Sequence, residues 1–251
     1  MDLAQAALLV AAGIAAGAIN AVAGGGSLLS YPALLAVGVP PVSANVTNAL
    51  SVAPGYFASA LGSGADLRAQ RRRALSLIPT AALGTGAGTA ILLATPETAF
   101  QAIVPFLVIA ASLLTAFGPW IRKAAGASEA GGGTGRLIAV HLLTGLACVY
   151  GGYFNAALGL VLAAVLGLTL GGALARTTAL KNAVAAVVGV VTSVVYGLLV
   201  PVDWLAVGVL LPATLAGGYG GARVARRISE PALRISIVAF GLTVGVYLLL
   251  R

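Results

Sequence analysis

The residues able to do chemistry are few, and their types favour binding over bond making. The chain of 251 residues holds 14 Lys and Arg, 6 Asp and Glu, 1 His and 1 Cys. The acids Asp2, Asp66, Glu97, Glu129, Asp203 and Glu230 all fall at the ends of apolar runs or between them. A cation or proton path through a membrane usually carries a carboxylate within it. Their placement therefore disfavours a cation pump and fits an anionic substrate. No cluster of His, Cys, Asp or Glu stands inside an apolar run, which argues against an enzyme and predicts neither metal nor cofactor. His141, a few residues into its run, is a candidate for proton coupling at neutral pH, with a structural role as the alternative. Cys148 has no partner for an internal disulfide.

Neutral donors and two cations remain. In Asn20-Ala21-Val22-Ala23-Gly24-Gly25-Gly26-Ser27, three glycines interrupt a helix, each costing about 1 kcal/mol relative to alanine. Free backbone at membrane depth needs protein or a water-lined cavity to satisfy it. A helix resuming at Ser27 aims its N–H groups and positive dipole end at the break, which suits an anion; a tight hairpin tip is the alternative. Tyr150-Gly151-Gly152-Tyr153-Phe154-Asn155 stands at the matching place in the second half, with Asn155 as donor and the tyrosines as substrate contacts or interfacial anchors.

Beyond each break a polar start opens a span. The first reads Ser43-Ala44-Asn45-Val46-Thr47-Asn48-Ala49-Leu50-Ser51, and the second Arg176-Thr177-Thr178-Ala179-Leu180-Lys181-Asn182. Spacings of three and four put Asn45 and Asn48 on one helical face, beside a strip holding Thr47 and Ser51. Thr178 and Asn182 form a similar strip, and Arg176 and Lys181 add charge-assisted donors. Snorkelling competes with binding for the two cations, and interhelical hydrogen bonding competes for the amides and hydroxyls.

The elements that position these residues are membrane helices. Apolar residues make up 60% of the chain and charged ones 8%, with mean hydropathy +1.05. Soluble domains carry roughly 25% charged residues. Apolar windows near 3–23, 44–62, 74–94, 99–119, 136–152, 155–171, 176–199, 203–222 and 232–250 recur, with a shorter run at 27–39. Many are long enough for a hydrocarbon core of about 30 Å. Without a basic stretch before it, the first is expected to be a retained span and not a signal peptide. Thr95-Pro96-Glu97 and Ser229-Glu230-Pro231 read as helix starts. Gly13 with Gly17, Gly84 with Gly88, Gly217 with Gly221 and Gly241 with Gly245 are helix-packing pairs.

A linker at 121–135 divides the chain into repeats of about 1–120 and 136–251. Ile78-Pro79 through Gly84 and Gly88 matches Leu211-Pro212 through Gly217 and Gly221 at a constant offset of 133. Many transporters are built from two such repeats. Positive charge switches loops between them: 64–73 holds four arginines against Asp203 alone at 200–203, and 95–98 holds Glu97 alone against three arginines at 223–231. If positive loops stay cytoplasmic, the halves are inverted, 3–39 and 136–171 are hairpins, three spans follow each, and both termini face the periplasm. A plain count of eight spans predicts parallel halves instead. The fold expected is thus an all-α polytopic bundle. The net charge of +8 reads as membrane orientation and not as nucleic-acid binding.

The run from Asn20 to Ser27, then Tyr31-Pro32, Gly38 and Ala44-Asn45-Val46-Thr47-Asn48, resembles the opening of the sulfite exporter TauE/SafE family, and Tyr150-Gly151-Gly152-Tyr153 fits its second half. The likeness covers nearly the whole chain. It implies an inner-membrane permease for sulfite, organosulfonates and related sulfur-containing anions. Asn155-Ala156-Ala157-Leu158-Gly159 departs from the glycine-rich stretch that often follows in the family's second repeat, which leaves the substrate open. The reading is a secondary transporter in lipid, working as an exporter, with a homo-oligomer compatible. Its expected site is where the broken segments meet: backbone of Gly24, Gly25, Gly26 and Ser27, with Asn20, Asn45, Asn48, Asn155, Thr178 and Asn182, and attraction from Arg176 or Lys181. An anion channel shares all these residues, and a membrane assembly factor is a third reading.

Overall fold

A computed structural model describes residues 1–22, 24–126, 134–170, 174–224 and 230–250. Ala23 of the first glycine break lies outside them. The described elements are helices only: α1 (Leu3–Val22), α2 (Ser27–Ala36), α3 (Pro41–Gly62), α4 (Gly64–Ala69), α5 (Arg71–Ala94), α6 (Glu97–Gly126), α7 (Thr134–Tyr153), α8 (Leu158–Leu170), α9 (Leu174–Leu199), α10 (Trp204–Val224) and α11 (Glu230–Leu250). Five of them, α1, α5, α6, α7 and α9, are long and apolar enough to cross a membrane. The protein is a multi-pass membrane bundle.

Both glycine breaks make hairpins. Gln5 near the start of α1 donates to the Val37 carbonyl just past α2 at 3.4 Å, so α2 runs back along α1. Gly26 lies against Ala16, where any Cβ would overlap the Ala16 carbonyl. In the second half Arg136, near the start of α7, donates from Nε to the Thr169 carbonyl at 2.7 Å and from a terminal nitrogen to the Leu170 carbonyl. Those are the last two carbonyls of α8, which a helix leaves without partners of its own.

Small residues set how the hairpins dock. Gly13 faces Leu210 and Ala213, and Gly17 faces Thr214 and Gly218, so α1 lies along α10 in the same direction. Gly84 faces Gly145 and Cys148, and Gly88 faces Val149 and Gly152, so α5 and α7 also run together. Gly189 on Ala53 and Gly241 on Ser112 join α9 to α3 and α11 to α6. Of the glycine pairs read from the sequence, Gly221 lies outside the described surroundings; the others are the close approaches expected where lipid offers no hydrophobic drive and backbone contact supplies the packing.

Some boundaries differ from the sequence reading. The arginine-bearing break at 64–73 is occupied by α4 and the start of α5. Helix α6 continues to Gly126 and takes up part of the expected linker. Thr95 does not cap α6: its hydroxyl turns back to the Ile91 carbonyl at 2.7 Å, a bond these side chains offer in competition with capping.

Candidate functional site

The tips of the two hairpins touch. Gly24 adopts φ +88°, a left-handed conformation, and a Cβ there would stand 3.1 Å from the Gly159 backbone. Ser27 Oγ accepts from the Ala157 N–H at 3.3 Å across the same contact. Asn20 closes the first break by accepting the Gly26 N–H through Oδ1 at 2.8 Å. Gly24, Gly25, Gly26 and Ser27 are all buried in this crossing. The sequence placed the site at their meeting point, but backbone fills that point, and one of the expected amides is already bonded to Asn20.

On one side of the crossing the polar start of α3 is sealed. Asn45 donates from Nδ2 to the Tyr153 carbonyl at 2.9 Å and accepts from the Asn155 N–H at 3.4 Å. Ser30 donates to Asn48 Oδ1 at 2.5 Å, and the Asp203 N–H reaches Thr47 Oγ1 at 3.1 Å. Phe154 packs edge-on to Tyr31 with ring centroids 5.2 Å apart, and Phe100 and Tyr150 flank it at 6.3 Å. Tyr150 also donates to the Ala156 carbonyl at 2.6 Å. Tyr150 and Tyr153, both partly buried, therefore pack against this core.

On the other side lies a cavity of about 500 Å³ bounded by α1, α3, α9 and α10. Asn20, Tyr56, Ser59, Lys181, Asn182 and Thr214 supply its polar lining, and Gly17, Gly55 and Gly218 supply room. Asn182 is held by Ser63 Oγ and the Ser59 carbonyl, at 3.2 and 3.4 Å. Thr214 donates to the Ser51 carbonyl at 2.9 Å. Because Asn20 Oδ1 is committed to Gly26, its amide nitrogen is the group left for the cavity.

Lys181 is the buried cation among the described residues, only 8% exposed, with no hydrogen bond or ion pair. Among the described residues no carboxylate lines the cavity. A charge removed from water costs several kcal/mol unless something pairs it. An anion is the partner this lining can accept, since the Lys181 ammonium, the Asn20 amide nitrogen and the Tyr56 hydroxyl are donors without a protein acceptor.

The cavity occupies the end of the bundle where α3 finishes and α9 begins, as Asn182 on Ser63 and Gln70 on the Arg176 carbonyl at 3.0 Å both require. Arg68, Arg71, Arg72, Arg73 and Arg136 stand at that end. Of the residues expected at the site, the structure brings together Asn20, Lys181 and Asn182. Asn45, Asn48 and Asn155 sit in the sealed half, and Thr178 and Arg176 lie outside the lining, with Arg176 exposed. His141 bonds Thr80 Oγ1 through Nδ1 at 2.7 Å between α5 and α7, away from the cavity. Among the described residues, no group of three His, Cys, Asp or Glu comes together to hold a metal. Tyr56, Ser59 and Thr214 were not expected. Tyr56 and Ser59 follow Asn48 at the spacing 48, 52, 56, 59 along one face of α3, and nothing in the sequence marks Thr214 on α10.

Comparison with known proteins gives a family match. The model of the sulfite exporter TauE/SafE family matches residues 9–248. A Haemophilus influenzae protein named "Probable membrane transporter protein" is 34% identical over 119 residues, 45% of this chain and 44% of that protein. A Sinorhizobium protein, "Probable membrane transporter protein ORF9", is 41% identical over 113 residues, 43% of this chain and 41% of its own length. In both, the match spans less than half of the relative. The Escherichia coli "Probable membrane transporter protein YfcA" is 27% identical over 232 residues, 89% of this chain and 81% of that one. No solved structure matches the chain.

Proposed function

The chain belongs to the sulfite exporter TauE/SafE family, and from that premise we propose that it is a secondary transporter of sulfur-containing oxyanions such as sulfite or organosulfonates. It works as an exporter in the cell inner membrane. The observation that carries the reading is the unpaired, buried Lys181 in a cavity walled by Asn20, Asn182, Ser59 and Thr214. The anion's oxygens accept from the Lys181 ammonium and from the Asn20 amide nitrogen, the donors that protein leaves free, and the ammonium balances its charge.

The two halves are an inverted pair in this proposal, repeat 1 up to about residue 120 and repeat 2 from about 136. Support comes from the docking directions: α2 reverses α1, α3 and α5 reverse in turn, and α7 then runs with α5, against α1. The pairing of α1 with α10 mirrors that of α7 with α5. Arginines crowd the end that holds the cavity, which the positive-inside tendency assigns to the cytoplasm. The termini then face the periplasm, and the cavity is open inward while Asn45, Asn48 and the Phe154 cluster close the outward path. Alternating access follows when the hairpins rock against the remaining spans.

The test is counterflow of labelled sulfite into proteoliposomes preloaded with unlabelled sulfite. A carrier accumulates label transiently, whereas a channel does not. Lys181→Met is expected to lower uptake about tenfold to a hundredfold, the worth of charge-assisted hydrogen bonds. Full uptake by that variant at low substrate would remove Lys181 from the site.

A further inference from the structure

The charges around the cavity limit the charge of what it holds. Among the described residues Lys181 is the single cation in the lining, and no described acid accompanies it. The other titratable groups there are the phenols of Tyr56 and Tyr219. The described arginines of this end lie outside the lining; Arg68, Arg71, Arg72, Arg73 and Arg176 are exposed. They attract anions to the mouth and are screened by salt. Inside, one ammonium balances one negative charge. A second negative charge has only neutral donors to meet and adds its own cost of lost hydration.

Resting on the transport reading above, we propose that Lys181 and Asn20 restrict this site to singly charged anions, so that the species carried is bisulfite or an organosulfonate and not a sulfite or sulfate dianion. Asn20 contributes by its orientation. With Oδ1 fixed on the Gly26 N–H at 2.8 Å, it presents a donor beside the ammonium and brings no negative charge of its own. The volume of about 500 Å³ leaves space for an organic body beyond the oxyanion head. Val52, Leu215 and Gly218 give that body an apolar wall.

Gly55 offers the means to change the count. It lines the cavity, and a Cβ added there meets nothing within 4 Å. Gly55→Lys therefore brings a second ammonium to the same space without displacing the backbone.

The experiment is counterflow by the purified full chain in proteoliposomes, with labelled sulfite, methanesulfonate and sulfate, in mildly acidic and mildly alkaline buffer. Sulfite passes from monoanion to dianion across that interval, methanesulfonate stays a monoanion, and sulfate stays a dianion. Expected are methanesulfonate flux that holds steady, sulfite flux that falls roughly tenfold on the alkaline side, and sulfate flux at background, as suits one unpaired charge in a partly buried site. Gly55→Lys is expected to raise sulfate and alkaline sulfite flux relative to methanesulfonate. Sulfate carried as well as methanesulfonate by the unaltered protein, or sulfite flux indifferent to buffer, overturns the charge limit and leaves the transport reading standing. No counterflow of any of the three anions overturns both.

Discussion

The polar starts of α3 and α9 occupy corresponding places in the two halves, yet one is sealed and the other lines a cavity. From Ala44 to Ser51 every residue of α3 is buried, and Asn45, Thr47 and Asn48 each bond to another element. On α9 Lys181 is equally buried but unpaired, and Asn182 faces the same open space. Burial is therefore the same on both sides of the hairpin crossing. What differs is the cation: Asn45, Thr47 and Asn48 each make at least one bond to protein, although Asn48 Nδ2 is left over, whereas the Lys181 ammonium makes none. A pathway closed on one side and open on the other has this signature, because a donor that must release its protein partner to meet a substrate marks the closed side.

The variant expected to break this contrast most severely is Asn20→Asp. A carboxylate accepts the Gly26 N–H as the amide does, so the first hairpin keeps its closure. The new negative charge stands with Lys181 around one cavity and takes the role of the missing anion. Anion counterflow is expected to fall by about a hundredfold, the scale of losing a charge-assisted partner, while folding judged by thermal melting is kept. Counterflow within a few-fold of the unaltered protein would detach the cavity from transport.

The next largest effect concerns the sealed side. Asn45→Ala removes the bonds to Tyr153 and Asn155 that close it. Freed backbone groups cost about 1–3 kcal/mol when buried dry, and water entry from the far side relieves that cost. A single cysteine at Ala49, in a Cys148→Ala background, is expected to react with an impermeant thiol reagent from outside about tenfold faster in the Asn45→Ala protein. Unchanged labelling would mean that the aromatic cluster alone seals this half.

The sequence made the two hairpins, the spans after them and the packing glycines legible, since each leaves a local mark in apolar run length or glycine spacing. Lys181 stood out in the sequence as an ammonium about a turn and a half into an apolar span, where binding and snorkelling compete. Which of the paired polar segments faced open space was not legible. Asn45 and Asn182 are alike as residues, and only the docking of Tyr153 against one and Ser63 near the other separates them. Arg176 was placed at the site on its type, but it stands at the exposed end of α9, where the membrane segment has barely begun. Ser59 and Thr214 leave little mark in the sequence, since Ser and Thr hydroxyls within a span usually bond their own helix, as Ser59 does to the Gly55 carbonyl at 2.8 Å.

A smaller effect tests how the second hairpin tip is built. Ala157, fully buried, adopts φ +59° where the first tip has glycine at φ +88°. A left-handed alanine costs about 1–2 kcal/mol, partly offset because glycine loses more chain entropy on folding. Ala157→Gly is expected to raise thermal stability in detergent by up to about 1 kcal/mol, with counterflow unchanged. A fall in stability would show that the Ala157 methyl does more in packing than its backbone costs.

The smallest effect is expected at Arg176, the cation that the sequence ranked beside Lys181. Its side chain is exposed, its carbonyl serves Gln70, and several arginines share its end of the bundle. Removing one charge of such a set weakens the field at the cavity mouth, and the loss shrinks further as salt screens what remains. Arg176→Gln is therefore expected to raise the KM for sulfite counterflow no more than about twofold at low ionic strength, with no change in kcat and no difference at physiological salt. A loss near that of Lys181→Met, persisting in salt, would bring Arg176 into contact with the substrate in some other state of the cycle. The contrast between the two halves would then belong to this one conformation, and α9 would deliver both of its cations in turn.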